Sequence, residues 1–248
     1  MTTEMFFILV PAVLVVSFLY SVVGHAGASG YIAVMALAGL TPETIKPTAL
    51  VLNIIVSGIG SIQFIRAGHF SWRLFWPFAL LSIPCAFLGG AISLPTRGFK
   101  ILVGLALLFS AVRFFIRPRE VTDIKMPGTI TAIPVGAGLG LLAGLTGTGG
   151  GIFLTPLVLL MRWAATKTAA AVSALFILVN SAAGLLGNLS ATRQFPGLAM
   201  VLVAAVAAGG LMGSYFGSRR FSPEVIKRFL AIVLSIAGFK LIFGSLKQ

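Results

Sequence analysis

Polar and apolar positions along this chain segregate over tens of residues rather than alternating every two to four. No Asp, Glu, Lys or Arg occurs in the 38 residues between Glu4 and Glu43, nor at 47–65, 74–96 or 101–112. After a charged segment at 113–125, charge-free stretches resume at 126–161, 168–192, 194–218 and 229–239. About 20 apolar residues carry a helix across a bilayer. Each stretch near that length predicts one crossing, and the two long ones predict two segments each. The stretches at 101–112 and 229–239 are short, but Lys100, Arg113, Lys227 and Lys240 stand near their ends and can snorkel to the interface. The pattern predicts an all-α polytopic membrane protein of eight to ten helical segments.

The spacing is used twice. Stretch lengths of 38, 19, 23 and 12 residues are followed by 36, 25, 25 and 11. Residues match as well: "VVGHAGASGYIAVMAL" faces "LAGLTGTGGGIFLTPL", and "FLGGAIS" faces "LMGSYFG". Ser57 and Gly60 fall opposite Ser181 and Gly184 at an offset of 124. One membrane domain over 1–248 is expected, made of tandem repeats at about 1–117 and 128–248 with a linker at 118–127. "TPET" (41–44) and "SPEV" (222–225) each offer a hydroxyl N-cap, a proline at the first helical position and an acid in the first turn. "RAGHFSW" and "SLPTRGF" read as short loops. "GAGLGLLAG" (136–144) reads as a small-residue face on which two membrane helices approach closely.

Composition agrees with a lipid solvent: 9% of residues are charged and mean hydropathy is +1.07, against about 25% charged in soluble domains. The net charge is +13, but the bases stand singly or in pairs between apolar stretches. That is a membrane-orientation signal rather than a nucleic-acid surface. The same charges weigh the topology. Ten crossings put twelve of the eighteen Lys and Arg on one side, whereas eight crossings split them nine and nine. The imbalance favours five crossings per half, and so halves of inverted topology. The opening "MTTEMFFILVPAVLVVSFLYSVVG" lacks a basic n-region and reads as a retained first helix of a multi-pass protein of the cell (inner) membrane. Cys85, the single cysteine, rules out a disulfide framework within one chain.

Against this background the run "AGLTGTGGGIFLTPL" (143–157) is anomalous, with five glycines in the eight residues 144–151. Glycine costs about 1 kcal/mol relative to alanine inside a helix. The apolar segments that follow the two glycine blocks, 31–40 and 152–161, have ten residues each, about 15 Å of helix. The expected arrangement is a helix broken near mid-membrane, restarting at Gly30 in the first half and Gly150 in the second. Short glycine-interrupted segments at matching positions of a duplicated membrane protein point to a transporter's binding site. A helix restarting there turns free N–H groups and its positive dipole end into the gap, which favours a small anion. Candidate substrate-binding residues are His25, Gly27, Ser29 and Gly30 in the first block, and Thr146, Gly147, Thr148, Gly149, Gly150 and Gly151 in the second. Asn53 and Ser57, with Ser173, Asn180 and Ser181, add polar groups on the helices after the motifs. The bland alternative is that the glycines only permit tight packing.

Other chemistry is thin. A phosphate loop needs Lys-Ser/Thr after its last glycine, whereas this chain continues "GIFLT"; "GLGLLA" (138–143) lacks the acid that completes a dinucleotide site. His25 suits anion binding, proton relay or a plain interhelical hydrogen bond, and all three stay open. Lys46 and Lys167 follow the motif helices and read as orientation charges, with a gate role open. Trp72, Trp76 and Trp163 read as interfacial belt residues. With no acid inside the spans, coupling through a buried carboxylate is not expected. Neither a catalytic constellation, a metal cluster nor a cofactor is expected, so the chain reads as no enzyme.

The two blocks "GHAGASG" and "GTGGGIFLTPL", each followed by a helix bearing Thr or Ser ("KPTALVLNIIVSG", "AAAVSALFILVNSAAG"), resemble the TauE/SafE family of sulfite and organosulfonate exporters over essentially the whole chain. The second block is the closer match; the first has His25, Ala28 and Ser29 where the second has glycine or threonine. The resemblance implies a permease moving a sulfur-containing anion such as sulfite or sulfoacetate. The partners expected are that small anion and the lipid bilayer, with a homodimer left open. A non-transporting scaffold and an anion channel are the rival readings.

Overall fold

The computed structural model describes residues 3–22, 25–115, 124–217, 232, 234–236 and 238–244. Among them nine helices follow in order: α1 Thr3–Val22, α2 Ala28–Leu37, α3 Pro42–Arg66, α4 Trp72–Ala91, α5 Thr96–Phe115, α6 Thr129–Thr146, α7 Gly151–Leu160, α8 Thr166–Thr192 and α9 Gly197–Gly217. A further apolar helical stretch, Leu234–Gly244, is described in part. Five helices are long and apolar enough to cross a membrane: α3, α4, α6, and α8 and α9 over Lys167–Thr192 and Gly197–Tyr215. The large apolar side chains left outside the bundle, such as Ile130 at 90% exposure and Phe7 at 70%, need hydrocarbon rather than water around them. The all-α, multi-pass membrane class follows.

Element boundaries show how local chemistry acts. α3 starts at Pro42 after Thr41, with Glu43 in its first turn, as "TPET" predicts. The Thr41 hydroxyl makes no capping bond, however, so proline and acid carry the start. "SPEV" lies outside the described residues. The loop read in "SLPTRGF" is shorter than expected, because Thr96 already opens α5.

Helix contacts interlock distant parts of the chain. α4 packs along α6 and α8, α1 along α9, and α3 along α8 and α9. The α4–α6 seam is backbone on backbone. A Cβ placed on Gly136, Gly140 or Gly144 would lie 2.2, 2.1 or 2.2 Å from the carbonyl oxygens of Phe78, Ser82 and Ala86. Three glycines at i, i+4 and i+8 thus face three residues at the same spacing, and no side chain separates the helices. On the α1–α9 seam a Cβ added to Gly209 or Gly213 would run into the Leu14 or Phe18 carbonyl oxygen, and Ser17 Oγ donates to Val206 O at 2.8 Å. Two apolar cores result, one built on α1, α2, α3, α5 and α9 and one on α4, α6, α7 and α8. Trp163 belongs to the second, 5.7 Å from the Phe78 ring. It packs in a core, whereas Trp72 is 64% exposed as a belt residue would be.

Candidate functional site

Between α6 and α7 the chain leaves helical geometry for four residues. Gly147, Gly149 and Gly150 have φ of +78°, +71° and +79°, the left-handed region that costs an L side chain about 1–2 kcal/mol. Gly147 ends α6, its N–H bonded to Ala143 O, and Gly150 stands at the N-cap of α7 with no side chain capping the new helix. The Gly150 carbonyl accepts from Phe153 and Leu154. The start of α7 therefore turns uncapped N–H groups toward the break.

Two helices supply polar side chains there. A Cβ on Gly149 would lie 2.6 Å from Ser181 Oγ on α8 and 3.3 Å from Asn53 Nδ2 on α3. Asn53 Nδ2 donates to Gly147 O at 3.2 Å, which fixes the orientation of its amide. Asn53 and Ser181 have no exposed surface, and Asn53 Oδ1 and Ser181 Oγ have no hydrogen-bond partner. An orphaned buried polar atom costs about 1–3 kcal/mol; the Ser181 hydroxyl is such an atom at Gly149, while the Asn53 atom nearest Gly149 is Nδ2, already bonded to Gly147 O.

The other residues singled out from sequence divide cleanly. Thr146 donates to Leu142 O at 2.7 Å and bonds Thr148 at 2.9 Å. Since the Thr146 proton is spent on Leu142, Thr148 is the donor between them, and neither hydroxyl keeps a proton for a ligand. Ser57 donates back to Asn53 O, and Asn180 Nδ2 to Phe176 O, while Asn180 Oδ1 is buried without a partner. Ser173 accepts from Thr155 at 2.8 Å, a tie between α8 and α7 in which Thr155 has no counterpart among the expected residues. Gly150 faces Phe176 and Gly151 faces Ile177, so both are packing positions.

The first break is built differently. Gly27 stands at the N-cap of α2 with φ +92°, so the helix restarts at Ala28, before the expected Gly30. Gly30 packs on Val16 and Tyr20 of α1, Ser29 bonds the Tyr20 hydroxyl at 2.6 Å, and the Tyr31 ring covers Gly27. His25 is half-buried, its backbone N–H bonded to Tyr20 O. Gly24 lies outside the described residues.

Lys167 is exposed, as an orientation charge would be, but Lys46 is not one. It is 5% exposed, and Nζ donates to the carbonyls of Gly89, Gly90 and Ile92 at 3.0, 2.8 and 2.9 Å. The lysine caps the C-terminal end of α4, where unpaired carbonyls and the negative dipole end favour a cation. Its position about one turn into the sequence's third helix was visible; its partner was not. Among the described residues no group of three or more His, Cys, Asp and Glu comes together. The break presents the uncapped N–H groups at the start of α7 and the unpartnered Ser181 hydroxyl.

A bundle sheathed in apolar side chains around a polar, glycine-broken interior defines a multi-pass membrane transporter. The chain belongs to the sulfite exporter TauE/SafE family, whose family model matches residues 9–241. It is 41% identical over 237 residues, 94% of this chain and 96% of the other, to a protein of Sinorhizobium fredii (strain NBRC 101917 / NGR234) named "Probable membrane transporter protein y4hK". No solved structure matches the chain.

Proposed function

We propose that this transporter carries a small sulfur-containing oxyanion, such as sulfite or sulfoacetate, bound at the α6–α7 break. The observation that carries the reading is the buried Ser181 hydroxyl at Gly149, without a hydrogen-bond partner, beside the uncapped start of α7. The anion would take donors from the Ser181 hydroxyl and the first N–H groups of α7. Gly149, at which a Cβ would press on Ser181 and Ile177, brings the backbone of the break close to the Ser181 hydroxyl. The first break contributes shape rather than ligands, because Ser29 and Gly30 are turned onto α1. The two halves are proposed as repeats of inverted topology that rock about this site. Supporting this, α4 pairs with α6 as α1 pairs with α9, and α3 lies against both α8 and α9.

The test is counterflow of labelled sulfite and sulfoacetate in proteoliposomes, wild type beside Gly149→Ala. Wild type should show saturable counterflow, and the variant, folded by size exclusion, should lose at least about tenfold. Wild-type counterflow in folded Gly149→Ala would remove the site from the break; flux that never saturates would favour a channel.

A further inference from the structure

The binding proposal leaves one buried group unused. Lys46 is enclosed, its three donors taken by Gly89, Gly90 and Ile92 of α4. Among the residues whose side chains are described, Glu43 is the one acid, and it is exposed. The charge of Lys46 is thus answered, among the described residues, by carbonyl dipoles. A buried cation without an anionic partner is costly, and a neutral side chain would fill the place more cheaply if α4 only needed closing.

Its location adds the second observation. A Cβ on Gly147 would lie 3.0 Å from Lys46 O, 3.3 Å from Lys46 Cα and 3.5 Å from Lys46 Cγ. The residue that ends α6 therefore rests on the stem of this lysine, and Asn53, which holds the Gly147 carbonyl, lies seven residues on along the same face of α3. The α4 end it caps is also the meeting point of three helices, since Gly89 packs on Leu141 and Gly144 of α6, and Gly90 on Gly184 of α8. We propose that Lys46 is the positioning residue that makes the break selective for anions: it fixes the α4 end against α6 and α8 and, resting against Gly147, holds a positive charge with no buried carboxylate among the described side chains. It touches no substrate; its ammonium is fully engaged by the α4 carbonyls and acts through its field, which burial strengthens relative to water. This rests on the anion reading of the break.

The experiment measures dissociation constants for sulfite and sulfoacetate by ligand-induced thermal stabilisation of the purified full chain. Wild type, Lys46→Gln, Ile92→Asp and Ile92→Asn are compared. Ile92, whose carbonyl accepts from Nζ, is 46% exposed, so an acid there brings a negative charge beside the lysine without disturbing the core, and asparagine controls for the substitution. Lys46→Gln and Ile92→Asp should each weaken both anions by at least about tenfold, with Ile92→Asn within about threefold of wild type. A merely structural lysine would lower the anion-free melting temperature and leave the affinity of folded protein unchanged. Wild-type affinity in folded Lys46→Gln overturns the assignment. If that variant does not fold, equal affinities in Ile92→Asp and Ile92→Asn overturn it. Should wild type bind neither anion, the reading of the break falls and this inference with it; loss of the lysine effect alone leaves that reading standing.

Discussion

At the scale of the residue, glycines of one sequence run do opposite work. Gly144 is helical and lies 2.2 Å, by its missing Cβ, from Ala86 O, whereas Gly149 has φ +71° and faces Ser181 and Asn53. The first is packed on a neighbouring backbone; the second turns the chain back beside two polar side chains. The contrast yields a prediction for Ser181, whose hydroxyl is buried and unpartnered. Ser181→Ala removes a desolvation cost of about 1–3 kcal/mol and should leave the melting temperature in detergent equal or higher. Counterflow should nevertheless drop at least about tenfold. A variant losing both, or neither, would show that the hydroxyl serves the fold alone or nothing.

At the scale of the element, the α4–α6 seam predicts a sharp positional effect. Gly140 and Gly138 differ by two residues, yet a Cβ at 140 meets Ser82 O at 2.1 Å while one at 138 meets nothing within 4 Å. Gly140→Leu should force the helices apart, costing at least about 1–3 kcal/mol and lowering the yield of monodisperse protein. Gly138→Leu, on an exposed position, should match wild type in the same size-exclusion and melting assay. This face was legible in sequence, because small residues at a period of four can only serve close approach. So were the ten-residue helices after each glycine block, since chain length limits them. Partners were not legible. That Lys46 reaches the α4 carbonyls, that Thr146 and Thr148 spend their protons on each other and on Leu142, and that Gly30 packs on α1 all depend on which helix lies alongside. Periodicity names a face but never its neighbour.

At the scale of the molecule, neither half is closed. α1 finds its cover on α9 and α6 on α4, so each half lends its first helix to the other. Residues 1–117 and 128–248 expressed singly should therefore be degraded, each leaving a glycine seam or its partner bare to lipid. Co-expressed with a tag on one, the two pieces should purify together and bind sulfite. Stable accumulation of either piece alone would contradict the interlocking.

The α1–α9 seam also sets a clock for biosynthesis. About 175 residues separate the end of α1 from the start of α9. At about 5–20 residues per second of translation, α1 waits roughly 10–35 s in the membrane with the Ser17 hydroxyl lacking the Val206 carbonyl it finally meets. A nascent chain stalled or truncated before α9 leaves that hydroxyl without the Val206 carbonyl throughout, so the first helix would report to membrane quality control whether α9 has arrived.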